Sequence, residues 1–154
     1  MGTYYLDTSA IVKRYVNEQG QAWITDLCEP SYGHTLYISQ VATVEVVAAI
    51  CKKAREQRIT ITDRNNFISV FQQDCHNSYG IMPVTTDIFT SAAKLCLTHK
   101  LRAYDAVQLA CALSLRDDIQ KNKAPLPIFT CADNDLLRFA SIEGLSTVNL
   151  NLYA

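Results

Sequence analysis

The sequence predicts an α/β sandwich: a mainly parallel sheet covered by helices on both faces. Three observations carry that expectation. Short apolar runs alternate with helix-length amphipathic stretches, no Asn-Gly, Asp-Gly or Gly-Gly hairpin dipeptide separates one run from the next, and acidic residues stand where apolar runs end. Parallel strands are joined by helical crossovers rather than tight turns, and their sheets are buried on both sides. In open sheets of this kind ligands bind beyond the carboxyl ends of the strands.

Taken in order, residues 3–7 read as a short strand ending at Asp7, followed by short helices over 9–17 and 20–28. A loop with Pro30 and Gly33 leads to a strand at 36–38. Ser39 is placed to cap a long helix over 40–57, with Val41, Val44, Ala48 and Cys51 on one face. The pattern then predicts a helix over 63–78 with Phe67, Val70 and Phe71 inward, a strand at 81–84, and a helix over 87–98 capped by Thr86. A helix over 103–117, a strand at 126–130, a helix over 134–142 and a strand at 145–149 close the chain.

With 154 residues, 49% hydrophobic and 19% charged, the chain suits one domain spanning 1–154 that buries about two thirds of its unfolded surface. There is no internal repeat and no linker rich in Pro, Gly or Ser. The six cysteines form no CxxC and no zinc-like spacing with His34, His76 or His99, so they read as small hydrophobes kept reduced. No basic stretch precedes an apolar core at the N-terminus, and no apolar run approaches the roughly 18–20 residues of a membrane span, which predicts a cytoplasmic protein without membrane contact. Gly2 does not make a myristoylation site, because Leu6 stands where Ser or Thr is required. The net charge of −1 excludes a global positive field, so any nucleic-acid binding must be local. Basic residues cluster at Lys13 and Arg14, at Lys52, Lys53, Arg55 and Arg58, and at Lys100 and Arg102.

Four carboxylates are the candidates for chemistry: Asp7, Glu45, Asp105 and Asp133. Asp7, before Thr8 and Ser9, has a capping role open to it, and so has Asp133 before its helix. Asp105 with Gln108 resembles a capping box. Glu45 has no such explanation: it lies on a helical stripe with Val41 and Ala48, and no Lys or Arg lies within four residues. A cluster of half-dry carboxylates is tolerated when protons or a metal neutralise it. Oxygen donors without His or Cys partners select a hard cation, Mg²⁺ or Mn²⁺, and such an ion suits hydrolysis of a phosphodiester.

The segments YYLDTSAIVKRYVNE, SQVATVEVVAAI, LRAYDAVQLACAL and IFTCADNDLLRFA resemble, in order and separation, the four acidic motifs of PIN-domain nucleases, most closely the VapC-type toxins of toxin–antitoxin pairs. The resemblance covers essentially the whole chain. It implies a PIN-like three-layer sandwich on a five-stranded parallel sheet, and a site in which Asp7, Glu45, Asp105 and Asp133, with the more variable Asp135, surround Mg²⁺ or Mn²⁺. It also implies that Thr8, Ser9 and Thr130 support the carboxylates or the scissile phosphate, that the protein forms a homodimer, and that a small antitoxin inhibits it.

The resulting expectation is a metal-dependent endoribonuclease acting on structured RNA and leaving 5′-phosphate and 3′-hydroxyl ends. Lys13, Arg14 and Lys53, with Arg138 as a weaker addition, are the candidates for steering the RNA backbone. Two other classes are weighed against it. A receiver-like phospho-acceptor domain also places Asp at strand ends, but the chain lacks a Lys after a late strand, where Asp133 and Asn149 follow. A PIN-like interaction module that has lost its chemistry has retention of all four acids against it.

Overall fold

The structure, a computed structural model, describes residues 1–154. Five strands, β1 (Thr3–Leu6), β2 (Thr35–Ser39), β3 (Tyr79–Met82), β4 (Ile128–Cys131) and β5 (Ser146–Asn149), pair in the order β3-β2-β1-β4-β5, and every pairing is parallel. Seven α-helices join them: α1 (Thr8–Tyr15), α2 (Gln21–Leu27), α3 (Ala42–Arg55), α4 (Ile61–Asn77), α5 (Thr86–Thr98), α6 (Ala103–Lys121) and α7 (Asn134–Ile142).

Strand periodicity divides the core in two. Tyr5, Phe129 and Cys131 face one side of the sheet, where Ile88, Leu109 and Leu136 from α5, α6 and α7 cover them. Leu6, Leu36 and Ile38 face the other, against α1 to α4 through Ile11, Ile24, Val46 and Phe71. The three-layer α/β/α architecture is therefore present, with a wholly parallel sheet.

The chain passes from β1 through β2 to β3 on one side and sets β4 and β5 on the other, so the strand order reverses between β1 and β4. Leu6 registers with Thr130, which brings the ends of those two strands side by side. A crevice opens at such a reversal, because the connections leave in opposite directions.

Several boundaries differ from the expectations. The strand predicted at 81–84 lies at Tyr79–Met82 because Pro83 lacks the N–H needed to continue the ladder. α4 starts earlier, at Ile61, where Thr60 and Asp63 form a reciprocal capping box. α5 is capped by Thr85, whose hydroxyl accepts from the Ile88 N–H at 3.3 Å, rather than by Thr86. Ser39 stays in β2; its hydroxyl accepts from the Val41 N–H at 3.2 Å, and the helix proper begins at Ala42.

Two buried faces also differ. The inward stripe of α3 is Ala42, Val46, Ile50 and Ala54, while Val44 is 68% exposed and Ala48 is also exposed. Glu45 is thus at the border of the buried face, one step from Ala42 and Val46, rather than in its middle. In α4, Phe71 is wholly buried and packs edge-on against Tyr15, with ring centroids 5.6 Å apart, but Val70 is 47% exposed. Phe71→Ala should cost ~3–5 kcal/mol of stability in urea unfolding, because it empties the junction of α1 and α4. Val70→Ala should stay within ~0.5 kcal/mol of the parent.

Candidate functional site

Each of the four carboxylates comes from a different element, and Asp105 feels the charges of the other three. Asp7 follows β1 and caps α1: its Oδ2 accepts from the Ser9 N–H at 3.1 Å and the Ser9 hydroxyl at 2.6 Å. Asp133 follows β4 and caps α7, its Oδ1 accepting from the N–H groups of Asp135 at 2.9 Å and Leu136 at 3.2 Å. The capping roles open to both residues in the sequence are therefore real, and they leave each carboxylate anchored at the crevice. Asp105 caps nothing; it sits in the first turn of α6, and the start of that helix has no side-chain cap at all.

Electrostatics binds the four into one group. Burial pushes the Asp7 carboxyl up, against the lowering effect of its hydrogen bonds from Ser9 and Cys131. Burial likewise raises Glu45, with the charge of Asp7 adding to it. Asp105 is pushed up to about 6, first by burial and then by the negative charges of Asp7, Asp133 and Glu45, with only Arg102 opposing. None of the four makes a salt bridge with a protein cation. The group is coupled without being closed: no three acidic, histidine or cysteine side chains already enclose a space for a metal ion.

The donor set nonetheless fits a hard dication. It consists of carboxylate and hydroxyl oxygens, none of the four carboxylates is in an ion pair, and burial raises the proton affinity of Asp7, Glu45 and Asp105, all of which favour an added divalent cation. Asp7, Glu45, Asp105 and Asp133 are the residues that would hold it.

The supporting residues divide. Thr8 donates to Glu45 Oε1 at 3.1 Å. Ser9 joins the two strand ends, donating to Asp7 while accepting from the Ala132 N–H at 2.9 Å. Thr130 is fully buried and its hydroxyl turns to the Ile128 carbonyl of its own strand at 3.5 Å, away from the carboxylates. Its backbone carbonyl does serve the site, accepting from the Asp7 N–H at 3.0 Å. Asp135 is 84% exposed in its side chain and lies 3.8 Å from Arg138, whose guanidinium also covers the Phe139 ring.

The cations predicted to steer RNA are committed elsewhere. Lys13 and Lys53 both meet Glu18, and Arg14 lies 3.6 Å from Asp74. Arg14 belongs to a buried polar knot in which the Tyr15 hydroxyl contacts Asp74 at 2.6 Å and the Tyr79 hydroxyl at 2.7 Å. None of the three lines the cleft beside Asp105 and Asp133, a cavity of about 440 Å³ walled by Lys100, Leu101, Arg102, Asp105, Asp133, Asp135, Leu136 and Phe139, while Asp7 and Glu45 lie outside its lining. Lys100 and Arg102 are the cations that border it.

Two further residues were not legible as site residues. Gln108, in place of a capping-box partner for Asp105, is 1% exposed and donates to Glu45 Oε1 at 2.9 Å. Cys131, in place of a simple apolar filler, accepts from the Asp133 N–H at 3.2 Å and contacts Asp7 Oδ2 at 3.5 Å. Burial keeps its thiol protonated. All six cysteines are free, and no helix is long and apolar enough to cross a membrane.

A wholly parallel five-stranded sheet whose order reverses between β1 and β4, with an aspartate after each of those strands, defines an α/β protein with its candidate site at the carboxyl edge of the sheet. The chain belongs to the PIN domain family, whose model matches residues 4–141. Solved structures share the fold at low identity. The chain is similar to VapBC2 from Rickettsia felis bound to a DNA fragment from their promoter (14% identity, 96% of this chain and 98% of that one, TM-score 0.61). It is also similar to a toxin–antitoxin complex from Klebsiella pneumoniae (19%, 96% and 97%, 0.57) and to FitAcB from Neisseria gonorrhoeae (12%, 96% and 97%, 0.58). No curated protein sequence matches the chain.

The raised carboxyls set a pH dependence. They hold protons more tightly in the folded chain than in the unfolded one, so their contribution to stability is complete below the ordinary carboxylate range and lost as pH rises, for Asp105 through about 6. The metal-free protein should therefore melt at a higher temperature at pH 5 than at pH 7 in calorimetry. Asp105→Asn should raise the pH 7 melting temperature and flatten that difference.

Proposed function

We propose that the protein is a metal-dependent endoribonuclease that hydrolyses phosphodiester bonds of structured RNA and serves as the toxin of a toxin–antitoxin pair. The observation that carries this reading is the charge coupling of Asp105 to Asp7, Asp133 and Glu45, opposed only by Arg102. Membership of the PIN domain family supports it, as does the similarity in fold to solved toxin–antitoxin complexes.

When bound, Mg²⁺ or Mn²⁺ would lower the pKa of a coordinated water and polarise a phosphoryl oxygen. The chain's own residues do the rest. Asp7, Glu45, Asp105 and Asp133 provide the negative charge that binds the ion, each held on a separate element so that the group keeps its shape. Lys100 and Arg102, on the wall of the crevice, counter the charge of the RNA backbone and hold the scissile phosphate near the carboxylates. Attack by external water breaks the bond to the 3′ oxygen, leaving a 5′-phosphate and a 3′-hydroxyl with no need for the 2′-hydroxyl.

A small cognate antitoxin and a second copy of the chain are the proposed protein partners. Exposed apolar side chains such as Phe89, Leu97 and Leu152 offer surface for such contacts. A cytoplasmic location accords with the free cysteines.

The test is cleavage of a mixed structured RNA pool by purified protein with Mn²⁺. Cleavage should require the metal, stop with a chelator, and fall at least ~100-fold in Asp7→Asn and Asp105→Asn, since each removes one of the charges that hold the ion. Circular dichroism should show both variants folded. Variants as active as the parent would remove these residues from the mechanism, and a parent inactive on every RNA would make the protein an interaction module. Lys100→Ala with Arg102→Ala should weaken RNA binding and reduce its salt dependence by about two counterions in filter binding.

A further inference from the structure

We propose that Gln108 is a positioning residue: its amide, oriented by the Tyr5 hydroxyl, clamps one oxygen of Glu45 and leaves the other free for the cation. The inference deepens the proposed function and rests on its metal site.

Gln108 lies one turn beyond Asp105 on α6, so a single helix face delivers both a carboxylate and an amide to the crevice. Glutamine is seldom fully buried, and a buried amide is costly unless its polar atoms are hydrogen-bonded. Here they are: the Tyr5 hydroxyl donates to Oε1 at 2.6 Å, and Nε2 donates to Thr8 Oγ1 at 2.9 Å and to Glu45 Oε1 at 2.9 Å. Both amide hydrogens and the carbonyl are engaged. The reverse orientation would set the amide oxygen against the Glu45 carboxylate, acceptor facing acceptor, so the chemistry of the partners fixes which way the amide points.

The chain of contacts runs through five elements, β1, β4, α6, α3 and α1. Tyr5 stands two residues before Asp7 on β1, and its ring lies stacked on Phe129 of β4, with centroids 5.7 Å apart and planes 9° apart. That packing fixes where the hydroxyl can reach. Gln108 carries the constraint from β1 to α3, and Thr8 closes a triangle by accepting from Gln108 and donating to Glu45 Oε1 at 3.1 Å. Glu45 Oε1 therefore receives two donors, and Oε2 receives none. A half-buried glutamate on three rotatable bonds would otherwise sample several positions at the border of the α3 face; two donors on one oxygen confine it. A purely structural amide would be satisfied by any acceptor, whereas this one takes an oxygen of a proposed metal ligand.

Isothermal titration with Mn²⁺, in the absence of RNA, tests the inference on four proteins: the parent, Gln108→Met, Tyr5→Phe and the double variant. Methionine keeps the length and helix preference of glutamine without its donors, and Gln108→Leu, which removes the donors without adding charge, provides a second variant if the first does not fold. Either should weaken Mn²⁺ binding about 10-fold, the scale on which partners of metal ligands act. Tyr5→Phe should weaken it less, and should add nothing once Gln108 has been replaced, because it acts through that amide. Two results would overturn the inference while leaving the metal site standing: unchanged Mn²⁺ affinity in folded Gln108 variants when Asp7→Asn loses binding, or the same loss from Tyr5→Phe in both backgrounds. A lowered melting temperature with unchanged affinity would assign Gln108 to the fold alone. A parent that binds no Mn²⁺ would overturn the site and this inference together.

Discussion

Partial burial of carboxylates at the edge of the sheet, with repulsion from their neighbours added at Glu45 and Asp105, is the constraint on which the rest of this structure depends. Asp7 is buried, Glu45 and Asp105 are half-buried, and each is raised by burial before any neighbour is considered. At neutral pH such a group costs free energy in the metal-free fold, and only Arg102 opposes the charge on Asp105. The scaffold tolerates this because both strand-end aspartates also cap helices, so part of their charge is offset by backbone N–H groups. The same N–H contacts hold them in place. A destabilised anionic cluster and a rigidly held one are thus the same arrangement, and a divalent cation is the partner that turns its cost into binding.

The parallel sheet and the crevice were legible because they depend on local patterns. Apolar runs such as YYL and IFTC end at an aspartate and pass directly into helices, which fixes both the parallel connection and the side of the sheet on which Asp7 and Asp133 emerge. Helix faces were read less well. α3 carries Val or Ala on nearly every side, so periodicity alone did not separate 42, 46 and 50 from 41, 44 and 48. Glu45 was correctly assigned an inward-facing environment, but from a stripe that proves to be largely exposed.

Long-range partners were not legible at all, since nothing local announces them. The charges of Lys13, Arg14 and Lys53 seemed free by sequence distance, yet Glu18 serves both lysines and Asp74, sixty positions on from Arg14, meets the guanidinium. Gln108 fits a helix-start pattern with Asp105 equally well on paper, and only the approach of α6 to β1 and α3 gives its amide other work. Cys131 shows the limit from another direction: its position in an apolar strand suggests filler, while its sulfur stands among Ser9, Asp7 and the Asp133 N–H. Surface charge is accordingly a weaker guide to RNA contacts than the wall of the crevice, where Lys100 and Arg102 stand beside Asp105 and Asp133.

The most direct measurement is anomalous diffraction at the manganese edge from crystals of the protein grown with Mn²⁺. The account predicts a strong anomalous peak in the crevice, with oxygens of at least two of Asp7, Glu45, Asp105 and Asp133 at roughly 2.0–2.3 Å from it and waters completing the shell. Manganese bound elsewhere on the chain, with those four side chains unligated, would contradict it.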